Sequence, residues 1–203
     1  MRVLGVDPGL QITGYGVISI DDGAPPGKDA RMNLLEAGVI RSKSSDGIAS
    51  RLHKIHGSLS ELISELSPDV LVIEKLYAHY KHPATAILMG HVRGVVCLLS
   101  GARKLPLVSI ASTHVKKSVT GHGHAGKGQI QRMVQHYLGL KAAPEPADVA
   151  DALAVAISYI FMIKHGRTAV AGDAEGHFDK LSVVSKVEPE SRRRQDPRLL
   201  LPR

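Results

Sequence analysis

The chain has 203 residues, 43% of them apolar, with two Phe, five Tyr and no Trp. That suffices for one well-buried domain with an aliphatic core plus a tail, and the lone Cys97 excludes a disulfide scaffold. The net charge of +7 points to a polyanion partner, and residues 165–203 hold eight Lys/Arg and six Asp/Glu, so most of the excess lies on the body.

Val3-Leu4-Gly5-Val6-Asp7-Pro8-Gly9 reads as a short buried strand that stops at a carboxylate. Pro8 cannot continue it and Gly9 lets the backbone turn away, so Asp7 is left at the strand tip. There it either accepts a hydrogen bond within its own turn or serves as a metal ligand facing a pocket. Gly14 to Ile20 and Met32 to Ile40 read as further strands, with turn formers over 21–30 between them, giving an antiparallel meander. Leu52, Ile55, Leu59, Leu62, Ile63 and Leu66 repeat at helical spacing, and Ser67-Pro68-Asp69 ends that helix. The unbroken Val70-Leu71-Val72-Ile73 suits a central parallel strand, and it too ends on an acid, Glu74. A helical crossover would set this strand beside the first, with Asp7 and Glu74 at one edge of the sheet.

A helix is expected over Ala84 to Ser100, with Pro83 in its first turn, and a strand over Leu105 to Ile110. Ser112 can cap a short helix carrying Lys116 and Lys117, and a loop follows through His122 and His124. Ile130 to Leu138 and Ala147 to Lys164 give the last helices. The order β-β-β-α-β-α-β-α-α-α indicates one α/β domain with a mixed sheet over residues 1–165. Residues 166–203 lose periodicity and read as a basic, disordered tail ending beyond the Arg192-Arg193-Arg194 triplet. Too few apolar positions lead into Asp7 for a signal peptide, and no apolar run is expected to reach the length of a membrane span. With one cysteine, the setting expected is the reducing cytoplasm, without membrane association.

Pro146-Ala147-Asp148-Val149-Ala150-Asp151-Ala152-Leu153 puts two acids three residues apart, pointing the same way from adjacent turns. Their place near a helix N-terminus is favourable on dipole grounds alone. Their alanine surroundings argue for a compensating cation, because charges packed against apolar neighbours are costly. Four acids converging would repel one another unless metal neutralised them. An oxygen-only donor set suits Mg²⁺ or Mn²⁺, and two such ions about 4 Å apart serve phosphodiester hydrolysis.

Gly5-Val6-Asp7-Pro8-Gly9 with Thr13-Gly14-Tyr15-Gly16, Ile73-Glu74, Met89-Gly90-His91-Val92-Arg93-Gly94, Val115-Lys116, Thr120-Gly121-His122-Gly123-His124-Ala125 with Lys127, and Ala147 to Ala154 together resemble the RuvC family of Holliday-junction resolvases. The matches run in family order over about residues 2–160. The resemblance implies an RNase H-like fold and a homodimer that cuts opposed strands of four-way junction DNA in recombination and repair. It implies Mg²⁺ dependence, Asp7, Glu74, Asp148 and Asp151 as the acidic site, and Lys116 and Lys127 as DNA contacts near the scissile phosphate. Tyr77 falls where the family usually has a Phe that intrudes at the junction centre; here a hydroxyl is added. Arg93 either reaches DNA or makes only structural contacts from its helix surface, and a branch-migration motor is the partner that the resemblance implies. The usual Asn is not evident in Tyr80-Lys81-His82-Pro83. The glycine loop after Asp7 also resembles the first phosphate loop of sugar kinases and actin-like ATPases, but a second such loop and far more chain would be needed. A module that binds branched DNA without cutting it would share the same basic surface, and metal-dependent nicking separates the two.

Overall fold

The structure is a computed structural model and describes residues 1–21, 31–75 and 83–165. Among the described residues ten elements follow one another: β1 (Arg2–Asp7), β2 (Ile12–Ile20), β3 (Met32–Arg41), α1 (Ile48–Leu66), β4 (Val70–Glu74), α2 (Pro83–Arg103), β5 (Leu107–Ile110), α3 (Ser112–Thr120), α4 (Lys127–Leu138) and α5 (Ala147–Lys164). The strands form one sheet in the order β3-β2-β1-β4-β5. β1 and β2 pair antiparallel, as do β2 and β3, whereas β4 lies parallel to both β1 and β5.

Strand alternation sorts the apolar side chains into two layers. Val3, Ile18, Val70, Val72, Val108 and Ile110 face α3, α4 and α5. Leu4, Val6, Val17, Leu71 and Ile73 face α1 and α2. Counting by twos from Val3 and from Val72 puts Asp7 and Glu74 on the α5 face, at neighbouring strand ends.

α1 forms because Ile55, Leu59, Leu62 and Ile63 fall on one stripe, all buried. Each contributes about 1.5–3 kcal/mol by leaving water. It stops at Ser67, which takes a left-handed conformation (φ 44°) and donates its N–H to Ile63 O. Asp69 then ties the return to β1: its carboxylate accepts from the Arg2 N–H at 2.6 Å, and its own N–H donates to Arg2 O at 2.9 Å.

The expected elements are all present, with shifted ends. β2 starts at Ile12, two residues early, because it pairs with β1 as far as Asp7↔Gly14 and with β3 as far as Ile12↔Arg41. α4 starts at Lys127, where the Gly126 N–H donates to Gln129 Oε1 at 3.0 Å. Ser112 does not cap α3: Ala111 is the cap residue and Ser112 is already helical. The expectation on apolar length also needs correction, since α2 over Thr85–Arg103 is long and apolar enough to cross a membrane. Its apolar character has a local cause: Val92, Val96 and Leu99 lie in the core against the sheet, while Ile87 and Leu98 stay exposed on its other side. Tyr77 and the expected tail over 166–203 lie outside the described residues.

Candidate active site

The site is built where α5 crosses the sheet. Two glycines allow that crossing: a Cβ on Gly5 would strike the Ala152 carbonyl oxygen, and one on Gly14 the Asp148 carbonyl oxygen. With alanines on α5 and glycines on β1 and β2, helix backbone meets sheet backbone directly. The acids of the first turns of α5 are thereby lowered onto the strand ends. The turn after Asp7 is closed by the buried Thr13 hydroxyl, which donates to Gly9 O at 2.6 Å.

All four acids share one electrostatic neighbourhood. Burial pushes the Asp7 carboxyl well above the usual carboxylate range, to about 7, and Asp151, Glu74 and Asp148 add to the rise in that order, opposed by Lys127. Asp7 nevertheless keeps part of its surface open. Glu74 is raised chiefly by burial and then by Asp151, against a hydrogen bond from the Ser112 hydroxyl and the charge of Lys116. Asp151 is raised by burial and by Asp148, against Lys127 and Lys116. The two lysines thus enter as the counter-charges.

Glu74, Asp151, Lys116, Lys127 and Ser112 line one cavity of about 200 Å³. Larger cavities lie between α1 and the β2–β3 side and between α3 and the end of α5, and neither is lined by any of the four acids. Size is therefore a poor guide here, and the cluster of perturbed carboxyls is the better one.

Of the sequence-predicted residues, Asp7, Glu74, Asp148, Asp151, Lys116 and Lys127 are brought together. Arg93 is turned elsewhere: its Nη2 donates to Ser109 Oγ at 2.7 Å and its Nη1 to Glu74 O at 3.4 Å. Ser112 was expected as a cap and instead lines the cavity beside Glu74, whose carboxyl its hydroxyl lowers. The signal for it was position, the second residue beyond β5 at the same sheet edge as Glu74.

Does the donor set fit a divalent cation? Four carboxyls with only two lysines beside them leave excess negative charge in a desolvated place, and every donor is oxygen. That is the chemistry of a Mg²⁺ or Mn²⁺ site. Among the described residues no three acids already close on a single point. Mg²⁺ does not require it, because it keeps several waters and takes one or two carboxylates per ion together with substrate phosphate.

A mixed five-stranded sheet with acids at adjacent parallel strand ends, and more on a helix laid across that face, is the RNase H-like arrangement of the resolvases. The family model described as crossover junction endodeoxyribonuclease RuvC matches residues 3–159, and the chain belongs to the RuvC family. A relative from Rhodopirellula baltica, a crossover junction endodeoxyribonuclease RuvC, is 47% identical over 155 residues, which is 76% of this chain and 83% of that protein. The Thermus thermophilus RuvC structure is 30% identical with a TM-score of 0.73, covering 82% of this chain and 98% of that one. The T. thermophilus RuvC in complex with Holliday junction substrate aligns over the same shares, 82% and 98%, at 26% identity and a TM-score of 0.72.

Proposed function

We propose that this chain is a structure-selective endonuclease that resolves four-way (Holliday) DNA junctions in homologous recombination and repair. It does so by paired, divalent-metal-dependent hydrolysis of opposed strands. Family membership supports the reading, as does the relative solved with a Holliday junction substrate. The observation that carries it is the meeting of Asp7, Glu74, Asp148 and Asp151 at one edge of the sheet, with Lys116 and Lys127 beside them.

The cofactor we assign is Mg²⁺, two ions per site, with Mn²⁺ able to substitute. Asp7 would bridge both ions, Glu74 and Asp151 would each hold one, and Asp148 would complete the second site or orient a water. When bound, such a pair polarises the phosphate and makes water a competent nucleophile. Lys127, at the first position of α4, holds the scissile phosphate where the helix dipole also favours negative charge. Lys116, on α3, offsets Glu74 and Asp151 so that an anionic strand can approach. In the reaction water adds to phosphorus, the bond from phosphorus to the 3′ oxygen breaks, and that oxygen takes a proton. The products carry 5′-phosphate and 3′-hydroxyl ends and can be ligated.

Cutting opposed strands requires two sites, so the working form is a homodimer. Tyr77 is assigned to stacking at the junction centre, residues 1–165 to the nuclease domain, and a branch-migration motor to the partner list. The setting is the cytoplasm. Incubating a synthetic four-way junction with and without Mg²⁺ tests the reading: symmetric, ligatable duplex products should appear only with metal. Intact junction in both lanes, with binding retained, would leave a recognition module in its place.

A further inference from the structure

Resting on the acidic site proposed above, we propose that Arg93 is a positioning residue: from the far side of the sheet it fixes the strand end that presents Glu74, and it does not touch DNA. Arg93 sits on α2, which covers the face opposite α5. Ser109 shares that face, because Val108 and Ile110 on either side of it point into the α5 layer. The guanidinium bridges the two strands there, donating to Ser109 Oγ at 2.7 Å and to the Glu74 carbonyl oxygen at 3.4 Å. Ser109 pairs with Ile73, the residue just before Glu74.

The need for such a brace follows from the ladder. Pairing of β4 with β1 ends at Val6↔Ile73, so Glu74 extends one residue beyond it. On the other side β5 still holds the chain, with the Lys75 N–H donating to Ile110 O at 2.8 Å. Arg93 adds a donor to the Glu74 carbonyl, and its planar fork can reach a second acceptor on the neighbouring strand, which a lysine cannot match. Across the sheet, Ser112 lines the same cavity as the carboxyl of this residue and its hydroxyl lowers that carboxyl. Glu74 is thus gripped at its main chain from the α2 face while its side chain faces the α5 side. Arg93 is not among the residues lining the acidic cavity.

The test uses the full chain with Arg93→Gln, Ser109→Ala, the double variant and Glu74→Gln. Three quantities are read: junction affinity against salt without divalent ion, Mn²⁺ affinity of the free protein by electron paramagnetic resonance, and the Mg²⁺ concentration for half-maximal cleavage. The positioning role predicts unchanged junction affinity and salt slope in both single variants. It predicts Mn²⁺ binding weaker by about tenfold in Arg93→Gln, the scale of a lost hydrogen bond to a charged donor. Ser109→Ala should move the same way, and the double variant should be no worse than Arg93→Gln alone. If Arg93→Gln lowers junction affinity and takes about one from the salt slope while Ser109→Ala is silent, Arg93 is a phosphate contact and the proposal falls. Unchanged Mn²⁺ affinity in both variants overturns it as well. Should Arg93→Gln fail to fold, Ser109→Ala, which keeps the arginine, decides alone. Glu74→Gln separates the two levels: if it alters neither Mn²⁺ binding nor cleavage, the acidic site itself is misassigned, whereas its failure beside a normal Arg93→Gln removes only the brace.

Discussion

Gly14 of β2 lies directly against the main-chain carbonyl of Asp148, so a single methyl group at Gly14 would occupy the space of that oxygen. The obstacle is backbone, which cannot swing aside as a side chain would. Gly14→Ala must therefore lift the start of α5 and carry Asp148 and Asp151 away from Asp7. Overpacking of this kind costs about 1–3 kcal/mol, and misplacing a catalytic group by about 1 Å costs on the order of 100-fold in rate. Calorimetry should show a modest fall in Tm, and junction cleavage a much larger loss. Equal losses in both, or full activity, would contradict the placement.

Asp7 links stability to pH in an unusual direction. Its carboxyl titrates at about 7 in the folded protein, raised by burial first and then by Asp151, Glu74 and Asp148, whereas 3.8 is its ordinary value. A raised folded-state value gives stability that is full below the unfolded value and is lost as pH rises through about 7. Glu74 and Asp151 are raised too, so they act with the same sign. In EDTA, Tm should fall as pH climbs from 4 to 7.5. Asp7→Asn should flatten that slope and be the more stable protein at pH 7.5, by up to about 4 kcal/mol, while cleaving at under about 1% of the normal rate. Adding Mg²⁺ should stabilise the wild type by about 2.7 kcal/mol at 100 times its dissociation constant, read as a higher Tm, and do far less for Asp7→Asn. A variant that cuts normally would refute the metal role.

Lys127 has an electrostatic effect besides its proposed phosphate contact: its charge lowers both Asp7 and Asp151. Removing it in Lys127→Met lets those carboxyls rise further. The acidic limb of the pH–rate profile should move to higher pH, so the variant loses more activity at pH 6 than at pH 8.5. A lysine that only touched DNA would cost the same factor across that range. Single-turnover cleavage of a saturated junction over that pH range distinguishes the two.

The strand tips were readable in the sequence because their signals are local. Val3 to Asp7 and Val70 to Glu74 are apolar runs that end on an acid, and alternation alone assigns both acids to one face. The Asp148–Asp151 pair was readable from helical spacing. Arg93 and Ser112 were not, because their partners come from elements 16 residues away or more. Arg93 meets Ser109 only once α2 is laid on the far face of the sheet, and Ser112 meets Glu74 only once β5 is set beside β4. The start of β2 was missed for a similar reason, since Ile12 and Thr13 are strand only because Arg41 and Ile40 pair with them.

The exposed side of α2 presents an apolar stripe. Ile87 is 62% exposed and Leu98 is 64% exposed, eleven residues or three turns apart on one stripe. Gly94 lies between them on that stripe, with open space where a Cβ would stand, so a second helix can approach closely there. In the proposed homodimer a two-fold contact here would bury each of these side chains twice, once from each protomer, at about 1.5–3 kcal/mol apiece. Leu98→Arg should therefore weaken a homodimer by more than about 100-fold and leave the fold intact, because Leu98 touches solvent and not the core. Sedimentation should show a dimer for the wild type and a monomer for the variant at micromolar concentration. On a plasmid with an extruded cruciform, the wild type should make linear product by paired cuts, and the variant single nicks. The helix as a whole also meets the length and composition of a membrane span over Thr85–Arg103, so flotation with phospholipid vesicles serves as the control. A wild type that is monomeric in solution and floats with the vesicles would assign α2 to a lipid surface and remove the dimer from the mechanism.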